Sequence, residues 1–96
     1  RRLSAEEALR LGIVNRVARE GQSAVEAALE FLEPMVTKAP IAVAAALEAV
    51  DAAVDQTLEE GLVTELRLYE RTLVSRDRLE ALAAFAEKRP PRFEGR

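Results

Sequence analysis

The residues best placed to do chemistry stand together near one end of the chain, in the run Phe85-Ala86-Glu87-Lys88-Arg89-Pro90-Pro91-Arg92-Phe93. On a helix, Phe85, Lys88 and Arg89 fall at i, i+3 and i+4 and share one face. An aromatic ring beside two cations can stack on a purine while the cations neutralise phosphate. The plainer reading is a cationic helix C-terminus that answers the helix dipole, and residue types alone favour it.

Elsewhere the candidates are sparser. Glu48, Asp51 and Asp55 recur on one helix face and carry the oxygens a divalent cation takes. A solvated face explains them more simply, so no metal site is expected. Glu6-Glu7 and Glu59-Glu60 follow helix caps, where carboxylates complement the dipole. The chain has neither Cys nor His, which removes thiol catalysis, disulfides, imidazole bases and the usual zinc sites. Its four glycines stand singly, so none builds a pair of adjacent amides for an oxyanion or a phosphate. Ser4, Ser23, Thr57 and Ser75 look like helix caps without an activating base. Tyr69 falls on an apolar stripe and is expected in a core. No catalytic residue is predicted.

The elements that position these groups are legible from caps and periodicity. Ser4-Ala5-Glu6-Glu7 is a capping box that opens a short helix, and Gly12 offers it a left-handed stop. Ile13–Val17 is the only strand-like run and needs a partner strand from elsewhere. Ser23 and Glu26 form a second capping box. Val25, Ala28, Leu29, Leu32, Met35 and Val36 follow it as one apolar stripe. Pro34 interrupts the pattern and predicts a kink or an early break.

Ala39-Pro40 marks the next boundary. A helix follows from Ile41 to about residue 56, with Val43, Leu47, Val50 and Val54 as its stripe. The small residues between them would let another helix approach closely. Thr57 and Glu60 form a third capping box, before Leu58, Leu62, Leu66, Tyr69 and Leu73. Ser75 or Asp77 caps a last helix whose inward side would be Leu79, Leu82, Ala83 and Ala86. Pro90-Pro91 ends it and leaves a basic, extended tail. The expected fold is all-α, about five helices and one short strand-like segment.

Composition supports that class. Apolar residues make up 49% of the 96, mostly Ala and Leu, with three Phe, one Tyr and no Trp, a mixture suited to closely packed helices. A net charge of −3 weighs against nucleic acid as the main partner. There is no membrane-spanning stretch and no signal-peptide pattern, and the cytoplasm is the expected compartment. The opening Arg1-Arg2-Leu3, without an initiator Met, and the unpartnered strand-like run together suggest a piece of a longer polypeptide.

Several of these segments resemble a known family. Leu3–Val17 is similar to the motif "I-S-A-x-E-A-x-x-x-G-L-V-N-x-V" of the enoyl-CoA hydratase/isomerase (crotonase) superfamily. Ala39-Pro40 with its Ala/Val-rich helix, and Leu58, Gly61 and Glu65, resemble later segments. Ser75 through Phe93 resembles "T-x-D-x-x-E-G-x-x-A-F-x-E-K-R-x-P-x-F". Ala81 stands where that motif has Gly, and Leu47 where the family often has Lys.

The resemblance implies that residues 1–20 close a ββα core and that 21–96 form a C-terminal helical oligomerisation region. It implies a homo-oligomer, a trimer or a dimer of trimers in the intact enzyme. The substrate would be an acyl-CoA thioester, hydration of 2-enoyl-CoA foremost, with coenzyme A as part of the substrate and no prosthetic group. Phe85 and Lys88 match the positions that contact coenzyme A, the ring near adenine and the ammonium near phosphate. The family's catalytic amides and glutamates precede the motif at Leu3, so this chain alone would be inactive. The alternative is a stand-alone helical interaction module without enzymatic activity, which would be a folded monomer on its own.

Overall fold

A computed structural model describes residues 1–96 as five helices and no strand. They are α1 (Ala5–Arg10), α2 (Ala24–Val36), α3 (Pro40–Ala53), α4 (Leu58–Leu73) and α5 (Arg76–Glu87). The chain divides into two compact units, Arg1–Val36 and Thr37–Arg96. No helix is long and apolar enough to cross a membrane.

The helix starts are local events. The Glu7 amide donates to Ser4 Oγ at 3.1 Å, and the Ser4 amide donates to the Glu7 carboxylate at 2.9 Å. The Ser23/Glu26 and Thr57/Glu60 pairs repeat this reciprocal pattern at 2.9–3.2 Å. Each such cap satisfies amides that the helix leaves open and is worth about 1 kcal/mol. Ser75 caps α5 by accepting from the Arg78 amide at 3.2 Å.

In the first unit α1 stops at Gly12, whose φ is +74°. Ile13–Val17 then forms no strand. A strand exists only through ladder hydrogen bonds to a neighbour, and this chain offers the run none. Helix α2 also departs from expectation by continuing past Pro34 to Val36 without a break. Pro34 stands in the last turn, so only two helical residues follow the one bond that its missing N–H removes. Arg19 and Gln22 converge on the Glu30 carboxylate at 2.8–3.3 Å. The Gln22 hydrogen bond, then the Arg19 hydrogen bond and charge, hold that carboxyl below its ordinary range. Arg16 lies over the Phe31 ring, 6.0 Å from its centroid.

In the second unit α3 and α4 fold back on each other across the short link from Val54 to Thr57. Their contact is made by small side chains. Ala45 is buried and Ala49 half-buried on α3, beside Gly61, Leu68 and Thr72 on α4. Leu68, only 1% exposed, is the largest fully buried side chain. Arg71 closes the outside of this pair by donating to Glu48 at 2.8 Å.

Apart from Val43, which is half-buried, this departs from the faces expected from periodicity. Leu47, Val50 and Val54 on α3, and Leu58, Leu62, Leu66 and Tyr69 on α4, are exposed. The same holds for Val25, Leu29, Leu32, Met35 and Val36 on α2, where only Ala27 is buried. The bulky stripes exist as predicted, but within this chain the alanine and glycine faces meet instead. Close helix approach favours small residues, and it leaves the larger ones outward.

Helix α5 differs in the same way. Leu79, Leu82 and Ala86 are exposed, and the covered side is Asp77, Glu80, Ala81 and Ala84. What covers it is the C-terminal tail, which runs back along the helix. Gly95 closes this turn beside Pro40, whose Cβ and Cγ would lie 3.6 Å from a Cβ placed on the glycine.

Candidate functional site at the end of the last helix

The site is built by the end of α5 and the tail folded against it. Two acids one turn apart hold the tail. Asp77, 2% exposed, accepts from the amides of Glu94 and Gly95, each at 2.8 Å. Its own amide donates to the Arg96 carbonyl at 2.8 Å. Glu80 accepts from the Arg92 amide at 2.9 Å and from Nη1 and Nη2 of Arg89, at 2.5 and 3.3 Å. The Arg89 fork, then the Arg92 amide, press the Glu80 carboxyl down to about 2. Arg89, bound also to Glu87 at 2.6 Å, is pushed above its ordinary value by the same partners.

The expected cluster is therefore divided. Helix α5 ends at Glu87, so Lys88 and Arg89 do not continue its surface. Arg89 turns back and is committed to Glu80 and Glu87. It is not free to meet a phosphate. Asp77 does not cap the helix either; Ser75 does, and the Asp77 carboxylate receives the tail.

Phe85 and Lys88 remain as the outward pair. The Phe85 ring is 86% exposed on the last turn. Lys88 adopts a left-handed conformation, φ 54° and ψ 43°, the one non-glycine residue in the chain with positive φ. Its amide donates to the Phe85 carbonyl at 3.3 Å, and the Arg89 amide to the Ala84 carbonyl at 3.0 Å. These two bonds form a Schellman stop, a position that glycine usually fills. A lysine there costs about 1–2 kcal/mol. Strain of this kind persists only where the surroundings over-determine it. The Lys88 side chain is exposed and joins none of the six ion pairs.

The other candidates fall apart spatially. Glu48 pairs with Arg71, and no group of three His, Cys, Asp or Glu residues lies close enough to hold a metal ion. Tyr69, expected in the core, is exposed beside a groove of about 330 Å³ between α3 and α4. What sequence reasoning missed was the Asp77/Glu80 clamp. Its one signal was two acids three residues apart, upstream of a basic, proline-rich tail.

Comparison with known proteins bears on this arrangement. The family model for enoyl-CoA hydratase/isomerase matches residues 1–96. The carnitinyl-CoA dehydratase of Salmonella typhi is 45% identical over 100 residues, covering 100% of this chain and 38% of the relative. The solved structure of enoyl-CoA hydratase from Bacillus anthracis superposes with a TM-score of 0.90 at 40% identity, over 100% of this chain and 37% of that one. Enoyl-CoA hydratase from Mycobacterium marinum gives 0.88 at 36% identity, over 98% and 37% respectively. The chain thus spans about 38% of the length of the curated relatives it matches.

Proposed function

Since this chain belongs to the enoyl-CoA hydratase/isomerase family, we propose that it is the C-terminal helical part of an enzyme acting on coenzyme A thioesters. Hydration of a 2-enoyl-CoA, or the reverse dehydration, is the reaction that its relatives' names favour. These residues contribute no catalytic group. They contribute a coenzyme A contact and a surface for subunit assembly. Residues 1–20 close the catalytic core and 21–96 form the oligomerisation region, in a trimer or a dimer of trimers, in the cytoplasm. Coenzyme A arrives as part of the substrate, and no prosthetic group is involved.

The observation that carries this reading is the outward pair at the end of α5. Phe85 offers an uncovered ring, a flat apolar face on which adenine can stack. Lys88 holds an unpaired ammonium three residues on, suited to a phosphate oxygen as a point charge. Two of the tail's arginines are already engaged, Arg89 with Glu80 and Arg96 with Glu94, while Arg92 gives its backbone amide to Glu80. The uncovered bulky stripes of α2, α3 and α4 support the assembly role, because apolar area of that extent marks an interface.

The test is steady-state kinetics of the intact enzyme with Lys88→Ala. KM for the coenzyme A thioester rises about tenfold, the size of one charge-assisted hydrogen bond, while kcat changes little. An unchanged KM removes Lys88 from the coenzyme A site.

A further inference from the structure

We propose that Glu80 is a positioning residue that aims Lys88, so that a half-buried side chain beneath the tail sets the strength of the coenzyme A contact. This deepens the reading above and rests on it.

The backbone on either side of Lys88 is fixed by different means. Before it, the two Schellman bonds tie Lys88 and Arg89 to the carbonyls of Phe85 and Ala84. After it, one carboxylate controls the path. Glu80 receives the Arg89 fork and, three residues later, the Arg92 amide. Lys88 is thus the last residue of the helix stop and the first before a segment that Glu80 pins. Because its left-handed conformation is strained, the chain would relax there first if the downstream anchor let go. The Cα–Cβ direction of Lys88 would then no longer be fixed relative to the Phe85 ring.

Glu80 acts through these contacts and not by proton transfer. Its oxygens are occupied by donors that stabilise the anion, and its carboxyl titrates near 2, far from any proton exchange at neutral pH. Glu87 cannot replace it. That carboxylate is 61% exposed and meets only Arg89 Nε, a solvent-screened pair. Asp77 holds the far end of the tail, residues 94 to 96, and leaves the turn at Arg89 to Glu80.

The experiment is a double-mutant cycle in the intact enzyme, read as KM for the coenzyme A thioester and as kcat. Glu80→Gln keeps the side-chain shape and removes the charge that holds the fork. The expected result is KM up about fivefold with kcat within about twofold of the parent. In a Lys88→Ala background the same change moves KM by less than about twofold, because the side chain it aims is gone. Arg89→Lys, which keeps the charge and loses the fork, gives the same pattern more weakly and serves if Glu80→Gln does not fold.

Full additivity of Glu80→Gln and Lys88→Ala overturns the proposal, since Glu80 would then act independently of Lys88. If Lys88→Ala raises KM but Glu80→Gln and Arg89→Lys do not, the positioning role fails and the coenzyme A contact stands. If Lys88→Ala leaves KM unchanged, both fall.

Discussion

Helices α1 and α5 end with the same pair of backbone hydrogen bonds. At the first, Gly12 donates to Leu9 at 3.0 Å and Ile13 to Ala8 at 2.9 Å. At the second, Lys88 donates to Phe85 and Arg89 to Ala84, at 3.3 and 3.0 Å. The residue that turns the corner has φ +74° in one case and 54° in the other. Glycine takes this conformation freely, and lysine does not. Around Gly12 a Cβ would meet nothing within 4 Å, so that stop depends on backbone freedom alone. Around Lys88 the segment that follows is pinned by Glu80, which receives the Arg89 side chain and the Arg92 amide. The difference separates a helix end free of backbone strain from one that carries a long side chain through a strained conformation.

That comparison can be broken at four points. The largest effect is expected for Asp77→Ala, which strands the amides of Glu94 and Gly95 in a covered site. The loss is about 2–4 kcal/mol in urea unfolding, with faster amide exchange along residues 92–96. Retention of that protection would show that the tail is held by something other than the clamp. Gly12→Ala isolates the backbone term and is expected to destabilise by about 1–2 kcal/mol, since no contact is gained or lost. Lys88→Gly should do the opposite and stabilise by about 0.5–1 kcal/mol, with glycine's larger unfolded-state entropy offsetting part of the relieved strain. It should also weaken coenzyme A binding. If both glycine–nonglycine exchanges moved stability in the same direction, the two stops would not be equivalent and the strain argument would be lost.

The smallest effect is the response to acid. The Glu80 carboxyl is depressed from 4.5 to about 2 in the folded chain. Its contribution is therefore complete above pH 4.5 and is lost as pH falls through about 2. Solvent screening keeps that contribution modest, because the Glu80 and Arg89 side chains are 26% and 37% exposed. The Arg92 amide resonance, followed by NMR, should titrate near the lower value. A midpoint at 4.5 would mean that the Arg89 fork does not form in solution.

The same contrast shows how far sequence reading reached. Caps and stops were legible because they are written within four residues: Ser4 with Glu7, Ser23 with Glu26, Thr57 with Glu60, Gly12 after Arg10. The stripes of α3 and α4 were legible as stripes, but their orientation was not. Periodicity says which residues share a face and not which face meets the neighbour. Here Ala45 and Ala49 lie beside Gly61 and Leu68, while Leu47, Leu58, Leu62 and Leu66 lie outside. The run at Ile13–Val17 was legible as strand-like but stays unpaired here, since its partner strand has to come from outside the run itself. Arg89 looked like a free cation beside Lys88 only because its partner, Glu80, stands nine residues back.

By itself, then, the sequence determined the helix starts, the helix count, the family, and the absence of thiol or imidazole chemistry, all consequences of residue type and short spacing. Only the tertiary structure decided that the tail returns along α5, that Asp77 and Glu80 receive it, and that Lys88 takes a strained conformation with its side chain exposed. The physical reason is that a carboxylate's partner is chosen by where the backbone brings donors in space. Amides 17 and 18 residues downstream of Asp77 carry no mark in the sequence of where they will end.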